Sequence, residues 1–305
     1  MFRPTRFSGR NAQSVVSNAV RLASFIIDGE PGYGLVIDDG ILPATPEFRA
    51  TFPDLRAVLS AGAEQQLSDN VGAAVSAGTD LQFQPPLPAP GKILCVGVNY
   101  RAHIAEMGRS VPDYPVVFTR FASSLVGHRE SLVRPAASLQ YDFEGELAVI
   151  IGKVARHVSR QRALDYVAGY TCFMDGSVRD WQRHTGQFTP GKNFERSGAM
   201  GPWLVTADEI PDPVSLKLET RVNGTSLQRG ELADLVFDVP ALLEYCSTFT
   251  ELQPGDVIAT GTPGGVGAAR TPPTWLQPGD NVEVEIGSIG VLESPVSDEA
   301  TASRA

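Results

Sequence analysis

Two glutamates one residue apart run directly into five apolar residues in Tyr141-Asp-Phe-Glu-Gly-Glu-Leu-Ala-Val-Ile-Ile151, and few folds can accommodate that run. In a strand, residues i and i+2 point to the same face. Glu144 and Glu146 therefore project together, in line with Ala148 and Ile150. The stretch Leu147–Ile151 is apolar on both faces, which predicts a buried strand. Two carboxylates side by side near a core repel, and desolvation raises the cost. A bound cation is the simplest relief, and oxygen-only ligands favour a hard one such as Mg²⁺, Mn²⁺ or Ca²⁺. The competing reading is a charged pair on an edge strand.

A chain of 305 residues has room for one large domain, or a large domain and a small one. Its net charge of −10 repels phosphate backbones, so nucleic acid is not an expected partner. No apolar run approaches the length of a membrane span. The three cysteines, Cys95, Cys172 and Cys246, form no C-x-x-C pair; a reducing, cytoplasmic setting is expected. From Met1 to Ala23 the chain is rich in arginine and serine and has no acid, a composition like that of a mitochondrial transit peptide. A disordered extension, or a start placed too far upstream, is the plainer reading.

Gln84-Pro-Pro-Leu-Pro-Ala-Pro-Gly91 excludes helix and central strand. A boundary placed there divides the chain into an N-terminal extension (1–20), a small α/β module (21–90), a main domain (91–297) and a C-terminal tail (298–305). Leu22–Asp28 and Gly34–Asp39 read as strands joined by Gly-Glu-Pro-Gly-Tyr, and Asp54–Ala61 and Ala63–Val75 as short helices. In the main domain, strands are expected at Lys92–Gly97, Val116–Arg120, Leu147–Gly152, Leu216–Val222, Val257–Thr260 and Val282–Ile286. Asn223-Gly224 marks a hairpin, and the two Leu-Gln-Pro-Gly-Asp segments ending at Asp256 and Asp280 suit type II turns. Helices are expected at Ala163–Ala168, just after Asp175, and at Val239–Phe249. The class is α+β, mostly β, without the regular strand–helix alternation of a Rossmann or TIM fold.

Asp175 closes an apolar stretch and is the best third acid for a cation site, although it also suits a helix N-cap. His103 and Glu106, at i and i+3, share one face of a helical turn. A carboxylate beside an imidazole fixes its tautomer and suits a general base, though such pairs also occur on solvated faces. Lys192 lies on a Gly/Pro loop, where a solvated lysine is the ordinary outcome. Gly261-Thr-Pro-Gly-Gly-Val-Gly267 lacks the G-K-[ST] of a phosphate loop, but its glycines let backbone N–H groups approach an anion.

Taken in order, seven stretches resemble the fumarylacetoacetate hydrolase family over roughly residues 90–295. They are Lys92–His103, Asp142–Gly152, Ala168–Asp180, Gly191-Lys192, Gly201–Thr206, Gln253–Ile258 and Gly261–Gly267. The resemblance implies a mixed β-roll, a homodimer, and a divalent metal (Mg²⁺ or Mn²⁺) on Glu144, Glu146 and Asp175. It implies a catalytic group of His103, Glu106 and Lys192, with substrate contacts from Arg179, Gln182, Thr262, Gly261 and Tyr100. The implied activity is hydrolysis of a C–C bond in acylpyruvates or other β-diketo acids, such as fumarylacetoacetate or fumarylpyruvate. In that reaction a water activated by His103 and Glu106 attacks, and a pyruvate enolate departs. Decarboxylation of oxaloacetate, or isomerisation of a 2-hydroxyhepta-2,4-diene-1,7-dioate-like acid, would use the same ligands. A structural Ca²⁺ site in a non-enzyme is the remaining reading. Three positions depart from the family pattern: Arg120 for a lysine, Met174 for an asparagine, and Gly145 for a larger apolar residue. Arg120 leaves the substrate's distal group open, because a fork replaces a point charge.

Overall fold

The computed structural model describes residues 20–38, 40–76, 80–106, 108 and 110–300. The expected extension before residue 20, Asp39 at the end of the second expected strand, and the last five residues of the expected tail lie outside them.

The N-terminal strands are β1 (Arg21–Ile27), β2 (Glu30–Ile37), β3 (Gly40–Pro43), β4 (Val75–Ser76) and β5 (Leu81–Phe83). They are followed by β6 (Ile93–Gly97), β7 (Val116–Thr119), β8 (Leu125–Val126), β9 (Leu132–Arg134), β10 (Tyr141–Asp142), β11 (Gly145–Ile151) and β12 (Val167–Met174). The remainder are β13 (Ser177–Val178), β14 (Gly198–Thr206), β15 (Lys217–Val222), β16 (Thr225–Glu231), β17 (Val257–Ala259), β18 (Asn281–Ile286) and β19 (Gly290–Asp298). Short helices stand between them: α1 (Pro46–Thr51), α2 (Leu55–Ala61), α3 (Glu64–Ser68), α4 (Arg101–Glu106), α5 (Arg179–Gln182), α6 (Thr189–Lys192) and α7 (Val239–Phe249). Among the described residues no helix is long and apolar enough to cross a membrane.

One large sheet runs β4-β3-β2-β1-β14-β12-β11-β17-β6-β7, with β5 on β1 and β8 on β14. A second sheet runs β16-β15-β18-β19-β9. Most pairs are antiparallel; β17–β6, β14–β8 and β19–β9 are parallel, so the sheets are mixed as expected. Strands from both sides of the proline-rich segment thus share one sheet.

β11 lies in the middle of that sheet, between β12 and β17, and every residue in it is buried. This removes the edge-strand reading of the glutamate pair. Leu147, Val149 and Ile151 face a core shared with Leu218, Val284 and Leu292 of the second sheet. Ala148 and Ile150, with Glu146 ahead of them, face the opposite side, where Ile93, Cys95, Val257, Leu55 and Phe48 gather.

Several local expectations shift by a few residues. The first hairpin turns at Asp28-Gly29, both at positive φ, rather than across residues 29–33, because Asp-Gly suits a two-residue turn. The stretch expected as a helix at Ala163–Ala168 is a 3₁₀ segment, Arg160–Tyr166, and β12 already begins at Val167. The second N-terminal helix is short, ending at Ser68, and α1, capped by Thr45, was not anticipated. Asn223-Gly224 turns as expected, with both residues at positive φ, as do Gly255 and Gly279 of the Pro-Gly turns. The helix α7 occupies its expected span, with Asp238 as its cap.

Candidate active site

Antiparallel register brings the acids together. β11 pairs with β12 through Gly145↔Met174 and Glu146↔Phe173, so one step further Glu144 stands opposite Asp175. The Asp175 N–H donates to the Glu144 carbonyl at 2.8 Å. One carboxylate oxygen from each of Glu144, Glu146 and Asp175 lies within 4.8 Å of the others, and all three residues are buried. Asp175 caps no helix; α5 begins later, after Val178.

Their surroundings are unequal. Lys192 Nζ is 2.5 Å from Glu144 Oε2 and 2.5 Å from Asp175 Oδ2. Arg179 Nη2 lies 2.6 Å from Glu144 Oε1, a charge contact rather than an aligned hydrogen bond, while its Nε donates to Asp142 Oδ2 at 2.7 Å. Arg120 Nη1 donates to Asp175 Oδ1 at 2.6 Å. Glu146 has no such cation; among the described residues its carboxylate accepts one hydrogen bond, from Gly261 N–H at 2.9 Å. Burial alone would raise the Glu144 pKa, but Arg179 and Lys192 hold it well below the usual carboxylate range. Burial, followed by the charges of Asp175 and Glu144, pushes Glu146 well up.

This donor set fits a hard divalent cation. All candidate ligand atoms are carboxylate oxygens, and four acids (Asp142, Glu144, Glu146, Asp175) meet three cations (Arg120, Arg179, Lys192). The acid left over is Glu146, which borders the other two candidate ligands.

The triad forms part of the wall of a cavity of about 340 Å³, within the range of small-ligand sites. His103, Arg179, Gln182, Lys192 and Thr262 also line it. His103 Nδ1 is 3.1 Å from Glu106 Oε2, and Glu106 is itself held by Gly265 N–H at 3.0 Å. Of the expected substrate contacts, Tyr100 and Gly261 do not line the cavity. Tyr100 is packed in the core, and Gly261 supports Glu146 instead.

Residues 92–297 match the family described as fumarylacetoacetate (FAA) hydrolase C-terminal. The chain belongs to the fumarylacetoacetate hydrolase family. It is 43% identical to the human mitochondrial oxaloacetate tautomerase FAHD2A over 220 residues, covering 72% of this chain and 70% of that protein. It is 40% identical to oxaloacetate tautomerase YisK of Bacillus subtilis (strain 168) over 233 residues, 75% of this chain and 77% of that one. Maleylpyruvate hydrolase from Sphingobium sp. SYK-6, solved in complex with manganese(II) ion and pyruvate, superposes with a TM-score of 0.74 at 31% identity. That match covers 92% of this chain and 100% of the other.

Within this family member, four supporting residues went unassigned in the sequence. Asp142 accepts from Arg179 and from the N–H groups of Gly267 and Ala268, at 2.8 and 2.9 Å. Gln228 accepts from Gly145 N–H and donates to the Thr262 hydroxyl. Arg120 does not line the cavity; it is buried against Asp175, Gly176, Ser124 and Ser197. Arg183 does line it. Asp142 sits within the quoted acidic motif, and Arg120 was visible as a departure; Gln228 carried no local pattern.

Proposed function

We propose that this chain is a divalent-metal-dependent enzyme that enolises a 2-oxo dicarboxylic acid of the oxaloacetate class, interconverting its keto and enol forms. The observation that carries this reading is the convergence of three buried carboxylates, one without a cationic partner, in a cavity also lined by the Glu106-paired His103. The tautomerase relatives, at 40% identity or above over most of the chain, support the reaction class.

Glu144, Glu146 and Asp175 would hold the cation, which supplies positive charge for the oxygen of the reacting carbonyl. Glu106 orients the His103 ring through Nδ1, leaving the other ring nitrogen as the base that takes a proton from C3. Lys192, whose ammonium lies between Glu144 and Asp175, would stabilise the oxyanion charge that develops, and Arg179 beside Glu144 favours its ionised form. One proton leaves carbon and one reaches oxygen, so no carbon–carbon bond breaks.

Hydrolysis of an acylpyruvate is the second reading, favoured by the maleylpyruvate hydrolase likeness. There His103 would activate water instead. The deciding experiment follows enol absorbance with oxaloacetate, and pyruvate release from oxaloacetate and from acetylpyruvate, in the Mn²⁺-loaded protein and in His103→Ala. Metal-dependent keto–enol conversion is expected, with His103→Ala losing at least about 10²-fold in kcat while keeping Mn²⁺ affinity. Pyruvate from acetylpyruvate without accelerated tautomerisation would replace the first reading with the second, and pyruvate from oxaloacetate would point to decarboxylation.

A further inference from the structure

The cations around the acid cluster are already committed. Arg120 pairs with Asp175, Arg179 with Asp142 and Glu144, and Lys192 with Glu144 and Asp175. His103 faces Glu106. Among the described residues one further cation lines the same cavity: Arg183, just past the end of α5. Among the described residues its guanidinium has neither an ion pair nor a hydrogen bond; its backbone N–H closes the helical turn on Asp180. Arg183 is exposed, and Thr185, Gly186 and Phe188 line the same cavity.

Charge balance gives this arginine a task. The four buried acids outnumber the three buried cations by one. A divalent cation would turn that balance to a single positive charge. A 2-oxo dicarboxylate brings two negative charges, so one more counter-charge is required inside the cavity. The 2-oxo acid end is drawn to the acid cluster and its cation, which leaves the distal carboxylate to meet the wall. A guanidinium presents two parallel N–H donors matched to a carboxylate.

We infer that Arg183 is the specificity-determining residue that recognises the distal carboxylate, selecting dicarboxylic over monocarboxylic 2-oxo acids. The inference rests on the proposed reading of the site. Its test is therefore binding to Mn²⁺-loaded protein measured by calorimetry, with two probes. Oxalate engages the cation end alone; 3,3-difluorooxaloacetate carries both carboxylates and has no C3 proton to lose. In Arg183→Met, the Kd for difluorooxaloacetate is expected to rise about 10-fold or more, with oxalate unchanged. Arg183→Lys should recover part of the loss. In steady-state turnover of oxaloacetate, the same variant should raise KM far more than it lowers kcat. Equal weakening of both probes would overturn the inference, because Arg183 would then act on the cation end. An unchanged difluorooxaloacetate Kd would overturn it while leaving the site reading intact. Failure of wild-type protein to bind either probe would overturn both.

Discussion

Glu146 is the residue on which the site turns. It is buried, has two acids for neighbours, and has no cation of its own among the described residues. In metal-free protein its charge is a cost, and in the loaded protein proposed above it would be a ligand. Glu146→Gln should therefore act in opposite directions on stability and on binding. We expect its metal-free Tm to rise by about 2–4 °C, as for a gain near 1 kcal/mol, and its response to Mn²⁺ to vanish. Calorimetry in EDTA and in excess Mn²⁺ checks both; a lower metal-free Tm would show that the charge is not a burden. The three acids were legible in the sequence because alternation and an apolar run fix direction. Arg120 was not. Its charge was visible, but charge does not say which way a side chain folds, and it lies against Asp175 rather than in the cavity wall.

At the scale of the element, the β11–β12 pair does the positioning, and Gly145 keeps it in place. A Cβ there would stand 2.1 Å from Thr220 Oγ1, with Val284 and Leu218 at 3.3 and 3.4 Å. The glycine between the glutamates thus fits a close approach of the second sheet. Gly145→Ala should cost about 1–3 kcal/mol by overpacking and weaken Mn²⁺ binding, since Glu144 and Glu146 flank it. Among the described residues Thr220 Oγ1 is buried without a partner, so Thr220→Ala added to Gly145→Ala should recover most of both losses. Denaturant midpoints and Mn²⁺ titrations of the single and double variants decide it; no recovery would place the strain elsewhere. The strands read well because period-two patterning and Asn-Gly or Pro-Gly turns are local. Arg160–Tyr166 read less well, since a 3₁₀ turn entering a buried strand has no period of its own.

At the scale of the whole molecule, the sequence suggests a module before the proline-rich segment and a domain after it. One buried cluster unites Leu22, Tyr33, Phe48 and Leu55 with Ile93, Phe118, Ala148 and Phe173. β1 joins β14 through Arg21↔Val205 and Leu22↔Leu204. We therefore expect one calorimetric transition, with equal calorimetric and van't Hoff enthalpies. Two separable transitions would show that residues 21–90 fold as an independent unit. Which strands would neighbour one another was not legible, because sheet order depends on contacts distant in sequence. β17 on β11 and β14 on β1 leave no local trace.

The loop from Gly261 to Ala268 holds three separate acids through its amides: Glu146 at Gly261, Glu106 at Gly265 and Asp142 at Gly267 and Ala268. Gly265 is at positive φ, and a Cβ on it would meet the Leu227 carbonyl at 2.2 Å. The three carboxylates are thus fastened by the path of the main chain rather than by any side chain in the loop. Trimming the Val266 or Ala268 side chain would leave the amide that each acid meets in place. What this stretch must preserve is its length and its course, and a single inserted residue would loosen all three at once.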